Sequence, residues 1–281
     1  MNILLAGCGK LGQRLGHQLS VQGHRVIGIK RTPVNTTTFE LLNIDLSDKT
    51  LFSLLPKTID IIVFTVTPSV YSAAGYRHIY QSVLHNVIAF CQTLTKPPLL
   101  LMVSSTSVYG QHNGEWVDED SPTAPVRYNG QWVLAGEKYL QQALVKTLVV
   151  RFSGIYGNRR QGLIKRAISG EALQKEPPLW TNRIHEDDCV GVLAFVIDCY
   201  RRGVALLPCY LASDDMPVSS YDVCTFIAEQ LQRPLPPVKK TALSQQLHKR
   251  CDNRRIKSLG YCFKFPDFRA GYRSLIREMT E

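Results

Sequence analysis

Short apolar runs alternate with stretches of helical spacing along most of the chain. The first run, 2–6, breaks at Gly7-Cys8-Gly9-Lys10-Leu11-Gly12, after which Leu11, Leu15 and Leu19 recur four residues apart. That order predicts a strand, a glycine turn and an amphipathic helix, which Gly23 ends. The runs 25–29, 41–44 and 60–66 predict further strands. The last is rich in Ile, Val and Phe on both faces, as suits a parallel strand covered by helices on either side. Helices are expected over 76–94, 130–145 and 187–200, and strands over 99–104, 147–152 and 206–211. Such alternation predicts an α/β protein with a doubly wound parallel sheet. The pattern loosens at 158–181 and from 214 onward, where prolines and basic residues gather. No repeat or flexible linker interrupts the chain. The expected organisation is therefore a main domain of 1–157 plus 182–213 and a small C-terminal lobe of 158–181 plus 214–281, made from insertions and an extension.

The glycine turn has chemistry of its own. A GxGxxG spacing that follows a strand and opens a helix is the context of a Rossmann dinucleotide site. Gly7 allows the tight turn, Gly9 lets the backbone approach a pyrophosphate, and Gly12 lets the helix pack close to the sheet. Lys10 and Leu11 open the helix whose N-terminus attracts the anion. An acidic residue at the end of the second strand would favour NAD by accepting from the ribose 2′-OH. This chain has Lys30-Arg31-Thr32 there instead, and two cations favour the 2′-phosphate of NADP, with NAD the alternative. Asp45, after the third strand, is read either as an acceptor for the adenine amino group or as a cap for a helix over 49–55.

Composition narrows the setting. With 44% hydrophobic and 20% charged residues, the 281-residue chain reads as a globular protein with a substantial core. No apolar run approaches the ~20 residues of a membrane helix. Eight cysteines stand scattered without a CxxC pair, so they read as reduced, mostly buried thiols of a cytoplasmic protein and not as metal ligands or a disulfide framework. Leu5-Ala6-Gly7-Cys8 mimics a lipoprotein processing box, but the apolar stretch is too short for a signal and reads as the first strand. The net charge of +10 is uneven. Residues 239–281 hold 11 Lys/Arg against 4 Asp/Glu, including the doublets Lys239-Lys240, Lys249-Arg250 and Arg254-Arg255.

Four segments together resemble one family. Ser104-Ser105-Thr106-Ser107-Val108-Tyr109-Gly110 resembles the SSxxVYG motif of extended short-chain dehydrogenases/reductases, the NAD-dependent epimerase/dehydratase group. Arg151-Phe152-Ser153-Gly154-Ile155-Tyr156-Gly157 is similar to their RxxxxYG segment, and Arg183-Ile184-His185-Glu186-Asp187-Asp188 to their IHxxD segment. The glycine turn has the spacing of the atypical branch. The resemblance implies a Rossmann domain with a C-terminal substrate lobe, and a Ser or Thr that polarises a substrate carbonyl. It further implies a Tyr acting as acid/base with a Lys four residues later. Ser105 falls on the first position. Counting back eight residues from Glu137, however, gives Asn129 at the Tyr position and Val133 at the Lys position. Tyr128 stands one residue early and is the candidate acid/base, with Tyr109 a substitute. A phenol without a neighbouring cation is a poor base near neutrality.

These residues define two main readings, beside a third, a nucleic-acid binder, that only the basic tail suggests. One is an NAD(P)-dependent epimerase- or reductase-like enzyme acting on a carbonyl or nucleotide sugar. The other is a catalytically impaired dinucleotide-binding sensor or interaction protein. Arg254 and Arg255 are the candidate substrate-binding residues, since a guanidinium fork suits phosphate. The expected partner is thus a phosphate-bearing small molecule, with homo-oligomerisation open. No nucleic-acid motif accompanies the basic tail. His185-Glu186-Asp187-Asp188 reads as a strand end and a helix cap by Asp187 or Asp188, not as a metal site. His24 and His248 read as surface histidines, and Trp116 and Trp132 flank the acidic loop 118–120.

Overall fold

The computed structural model describes residues 1–32, 38–158, 160–239 and 248–280. Seven strands form the main sheet: β1 (Asn2–Ala6), β2 (Arg25–Ile29), β3 (Glu40–Leu42), β4 (Ile61–Phe64), β5 (Leu99–Ser105), β6 (Lys146–Phe152) and β7 (Cys209–Ala212). Their order is β7-β6-β5-β4-β1-β2-β3. The pairs β1–β2, β1–β4, β2–β3 and β4–β5 run parallel, with Ile3 opposite both Val26 and Ile61. The direction of winding reverses between β1 and β4, the switch point at which such sheets bind ligands. All four residues of β4 are buried, as its two-faced apolar run requires. The doubly wound α/β sheet expected from the alternation is the fold observed.

Helix α1 (Lys10–Val21) lays Gly12, Leu15, Gly16 and Leu19 on the sheet. Helix α2 runs as Ala73–Arg77, passes through a π-helical turn at His78–Val83 and continues as Leu84–Gln92. Helix α3 (Tyr128–Gln141) begins two residues earlier than its expected start and ends well before 145. Leu144 is 85% exposed, so further helix would bury nothing. The strand expected over 206–211 begins only after Pro208, which has no N–H to give a ladder.

Two compact units emerge. Met1–Val108, Thr123–Arg151 and Val190–Tyr210 form the first, and Tyr109–Pro122, Phe152–Cys189 and Leu211–Glu281 the second. The second contains three small ladders. Asn113–Val117 pairs with His248–Cys251, Gly154–Tyr156 with Arg183–His185, and Trp180–Thr181 with Val218–Ser219. Its core gathers Ile164, Val223, Phe226, Ile227, Phe268 and Tyr272 from the helices Gly162–Ser169, Ser220–Gln230 and Phe268–Thr280. The helix Glu186–Arg201 carries Glu186, Asp187 and Asp188 in its first turn, complementing the dipole as expected. The side-chain cap is a correction: Nδ1 of His185, not an aspartate, accepts the Asp187 N–H at 3.2 Å. Asp188 is instead buried and accepts from Lys264 N (2.7 Å), Phe265 N (3.0 Å) and Tyr261 OH (3.0 Å). All eight cysteines are free thiols, six of them buried and Cys262 exposed.

Candidate functional site

At the carboxyl end of β1 the backbone turns through Gly7, whose φ is +91°. A Cβ there would lie 2.7 Å from Val66 Cγ2, so only glycine fits. Gly9 behaves oppositely, since a Cβ on it would meet nothing within 4 Å. At Gly12 a Cβ would come 3.2 Å from the Gly7 carbonyl oxygen and 3.5 Å from Thr65 Oγ1, which sets the close approach of α1 to the turn. Gly9 occupies the N-cap of α1, with no side-chain cap and no acidic residue in the first turn. The leading amides and the positive end of the dipole are thus not neutralised by the helix's own side chains.

Beside this turn lies a cavity of about 180 Å³ whose wall includes Gly7, Gly9, Lys30, Arg31, Asp45 and His78. One cavity therefore gathers five of the eight residues expected to hold the cofactor. Gly12 packs behind it, while Lys10, exposed, and Leu11 sit on the first turn of α1 outside the wall. Asp45 does not cap the following helix. Asp48 caps that 3-10 helix, Lys49–Leu54, by accepting Thr50 N at 3.0 Å. Asp45 Oδ1 accepts Ser47 N at 2.9 Å, and this bond, with the charges of Arg31 and His78, holds its carboxyl below the usual range. Burial pushes the Cys8 thiol on the same wall up to about 11, so it stays neutral.

Four polar wall residues escaped the sequence reading: Ser47, Thr65, Thr67 and His78. Thr65 donates to the Gly7 carbonyl oxygen at 2.6 Å, tying the end of β4 to the glycine turn. The threonines follow a buried strand beside the switch point, which was a usable signal. His78 gave none, because it reaches the wall from the π-helical turn of α2 and bonds Ser47 Oγ through Nε2 at 3.0 Å. Open space over Gly9, a helix start that its own side chains do not neutralise and two cations on the wall make the cavity fit a dinucleotide.

Ser105 ends β5, and its Oγ accepts the Ser107 N–H at 3.1 Å, which leaves the hydroxyl proton to donate elsewhere. A Cβ at Gly130 would run into the Ser107 carbonyl oxygen, so α3 seats its first turn on the turn Thr106–Val108. On that helix Val133 is buried, whereas Tyr128 is 41% exposed and donates its phenol proton to the Tyr71 carbonyl at 3.0 Å. The Tyr128 ring meets Tyr76 edge-on at 5.7 Å. Deeper on α3, buried Glu137 accepts from Arg151 Nε at 3.0 Å and Nη2 at 2.7 Å, with Ser104 Oγ donating as well. Tyr109, in the second unit, is buried and donates to the Asp118 carbonyl at 2.6 Å.

The family model described as the RmlD substrate binding domain matches residues 1–253. The chain belongs to that family. A Methylobacillus flagellatus protein assigned to the NAD-dependent epimerase/dehydratases is 31% identical and superposes with a TM-score of 0.84 over 100% of this chain and 99% of that one. Protein YeeZ of Escherichia coli K12 is 24% identical over 286 residues, covering 94% of this chain and 96% of its own. MoeE5, solved with UDP-glucuronic acid and NAD, is 22% identical and shares the fold at a TM-score of 0.79 over 100% and 99% of the two chains. The extended short-chain dehydrogenase/reductase resemblance carried by the four motifs is thus the family found.

In this member of the RmlD substrate binding domain family, the basic tail residues divide among different surroundings. Arg254 pairs with Asp252 at 2.6 Å with its side chain 85% exposed. Arg255 is held by Glu119 at 3.3 Å and by Asp120. Arg250 lies over the rings of both Trp116 and Trp180, 5.0 Å from each centroid. Lys249 donates to the Tyr109 carbonyl at 3.5 Å, and burial lowers its pKa. Lys240 falls outside the described residues. Among the described residues no group of three His, Cys, Asp or Glu side chains could hold a metal. No described helix is long and apolar enough to cross a membrane.

Proposed function

We propose that this chain binds NADP in preference to NAD and that its chemistry on carbonyl or nucleotide-sugar substrates is slow. The observation that carries the cofactor preference is the pair Lys30 and Arg31 on the wall beside Gly7 and Gly9, where an acidic residue would serve NAD. Gly7, Gly9 and Gly12 would admit the pyrophosphate, and Asp45 would face the adenine. When bound, the nicotinamide supplies a hydride acceptor and donor. Ser105, whose proton is not spent on Ser107, would donate to a substrate carbonyl oxygen and polarise it. Calorimetry with NADPH and NADH tests the preference. Arg31→Ala should narrow it by roughly ten- to a hundredfold, since one charge-assisted bond to phosphate is worth about 1.5–3 kcal/mol. Equal affinities in the unaltered protein would sink the assignment.

The impaired reading draws support from α3. The position of the family's lysine holds buried Val133, and the Tyr128 proton is committed to a main-chain carbonyl. General acid–base catalysis contributes about 10²–10⁴-fold, so turnover on nucleotide sugars should fall below that of relatives by this order. Nicotinamide absorbance over a substrate panel measures it. Fast turnover that survives both Tyr128→Phe and Tyr109→Phe would overturn this reading. For a substrate phosphate, Arg254 is the better candidate, because Arg255 is already paired with two carboxylates. Arg254→Ala should weaken UDP binding more than Arg255→Ala does. The free thiols suit a reducing, cytoplasmic setting.

A further inference from the structure

The cofactor cavity opens at the carboxyl ends of β1, β2 and β4. A second cavity of about 390 Å³ opens at the amino ends of β1, β4, β5 and β6, within the same unit. One strand of five residues separates the two ends, roughly 17 Å at the rise of a β-strand. Its wall comes from five separate stretches of chain: Met1, Ile59-Asp60, Lys96-Pro97, Lys146 and 200–205.

Three cationic side chains, Lys96, Lys146 and Arg201, line this wall against a single carboxylate, Asp60. The Asp60 charge is partly used, since Oδ2 accepts the Asn2 N–H at 2.7 Å. Arg201 leans on Asp198, outside the wall, at 2.7 Å. Among the described residues neither Lys96 nor Lys146 forms an ion pair with a carboxylate, and Lys146 instead stands 5.1 Å over the Tyr200 ring. Of the three, Arg201 also acts on His24 nearby. His24, bonded to the Met1 amine at 3.4 Å, has its pKa lowered by burial and then by that amine and Arg201, with only Asp198 opposing. Ile59, Pro97, Tyr200 and Val204 give the same wall an apolar side. Like charges gathered in one concavity repel unless an anion joins them.

We propose that this cavity is a second ligand site, distinct from the dinucleotide site, for a small organic anion. A phosphate or carboxylate group would sit between Lys96 and Lys146, and an apolar body would lie against Pro97 and Tyr200. Charge-assisted bonds supply the hold on the head group, and the apolar side favours an ester over the bare ion.

Phenyl phosphate, inorganic phosphate and benzoate serve as probes, titrated by calorimetry into the full chain with saturating NADP present. Phenyl phosphate or benzoate should bind more tightly than inorganic phosphate, and whichever of the two is tighter names the head group. The double variant Lys96→Ala/Lys146→Ala should weaken that binding at least tenfold while leaving NADP affinity unchanged. Both lysines are exposed, so the variants keep the fold, and Lys96→Glu provides an independent second loss. Binding that NADP abolishes would show that the anion had entered the glycine turn and would overturn the proposal. So would affinity unchanged in the lysine variants, or no saturable binding at low salt.

Discussion

Two buried ion pairs show how differently a carboxylate can be kept. Glu137 receives the Arg151 guanidinium through two bonds, 3.0 and 2.7 Å, and a third from Ser104. Asp214, only 1% exposed, has Arg183 Nη1 at 3.9 Å, and burial drives its pKa up to about 7 against the opposing pull of that arginine. Different outcomes are expected. Glu137→Ala takes from the buried Arg151 guanidinium the carboxylate that balances its charge and should cost about 3–5 kcal/mol in urea unfolding. Asp214 binds its proton more tightly folded than unfolded. Its contribution is complete below the ordinary carboxylate pKa and is lost as pH rises through about 7. Relative to Asp214→Asn, the parent protein should therefore lose stability between about pH 4 and 7, by up to ~1.4 kcal/mol per pH unit, and level off above that. Parallel stability profiles for the two proteins would contradict this. The arginines near the tail carry a related lesson. Arg254-Arg255 reads in the sequence as a phosphate grip, but Asp120, one of the carboxylates that hold Arg255, lies 135 residues earlier in the chain and Glu119 just before it, where no local pattern could announce them.

The element that was legible is the one whose demands are local. Strand, glycine turn and helix are specified by residues within 21 positions of the start, and each glycine falls where its spacing placed it. What was not legible depends on partners brought together by folding: the π-helical turn that carries His78 to the cavity, the cap by His185, and the early end of α3. The glycine turn permits an experiment that separates folding from binding. Gly7→Ala forces a Cβ into Val66 at a left-handed φ and should lower stability by about 1–3 kcal/mol. Gly9→Ala meets open space, so its melting temperature should stay near that of the parent while dinucleotide affinity falls. Thermal melts alongside dinucleotide titration distinguish the two. Loss of affinity without loss of stability at Gly7, or the reverse at Gly9, would count against the assigned roles.

For the molecule as a whole, the cofactor is expected to act as a stabiliser. A ligand at a hundredfold its Kd adds about 2.7 kcal/mol to the unfolding free energy, so NADPH should raise the melting temperature more than NADH at equal concentration. Identical shifts would argue against a 2′-phosphate contact. The division into two units, each of three chain segments, has another consequence, for the chain as it is being made. Five of the seven sheet strands lie in the first 108 residues, yet β6, the neighbour of β5, comes only at Lys146–Phe152. At the usual pace of translation, about 5–20 residues per second, β5 waits roughly 2–10 seconds for its partner. During that interval an apolar run, Leu99–Met102, buried in the finished sheet, stands as a bare edge on the ribosome. The newborn protein should accordingly be a customer of holding chaperones before its sheet is complete.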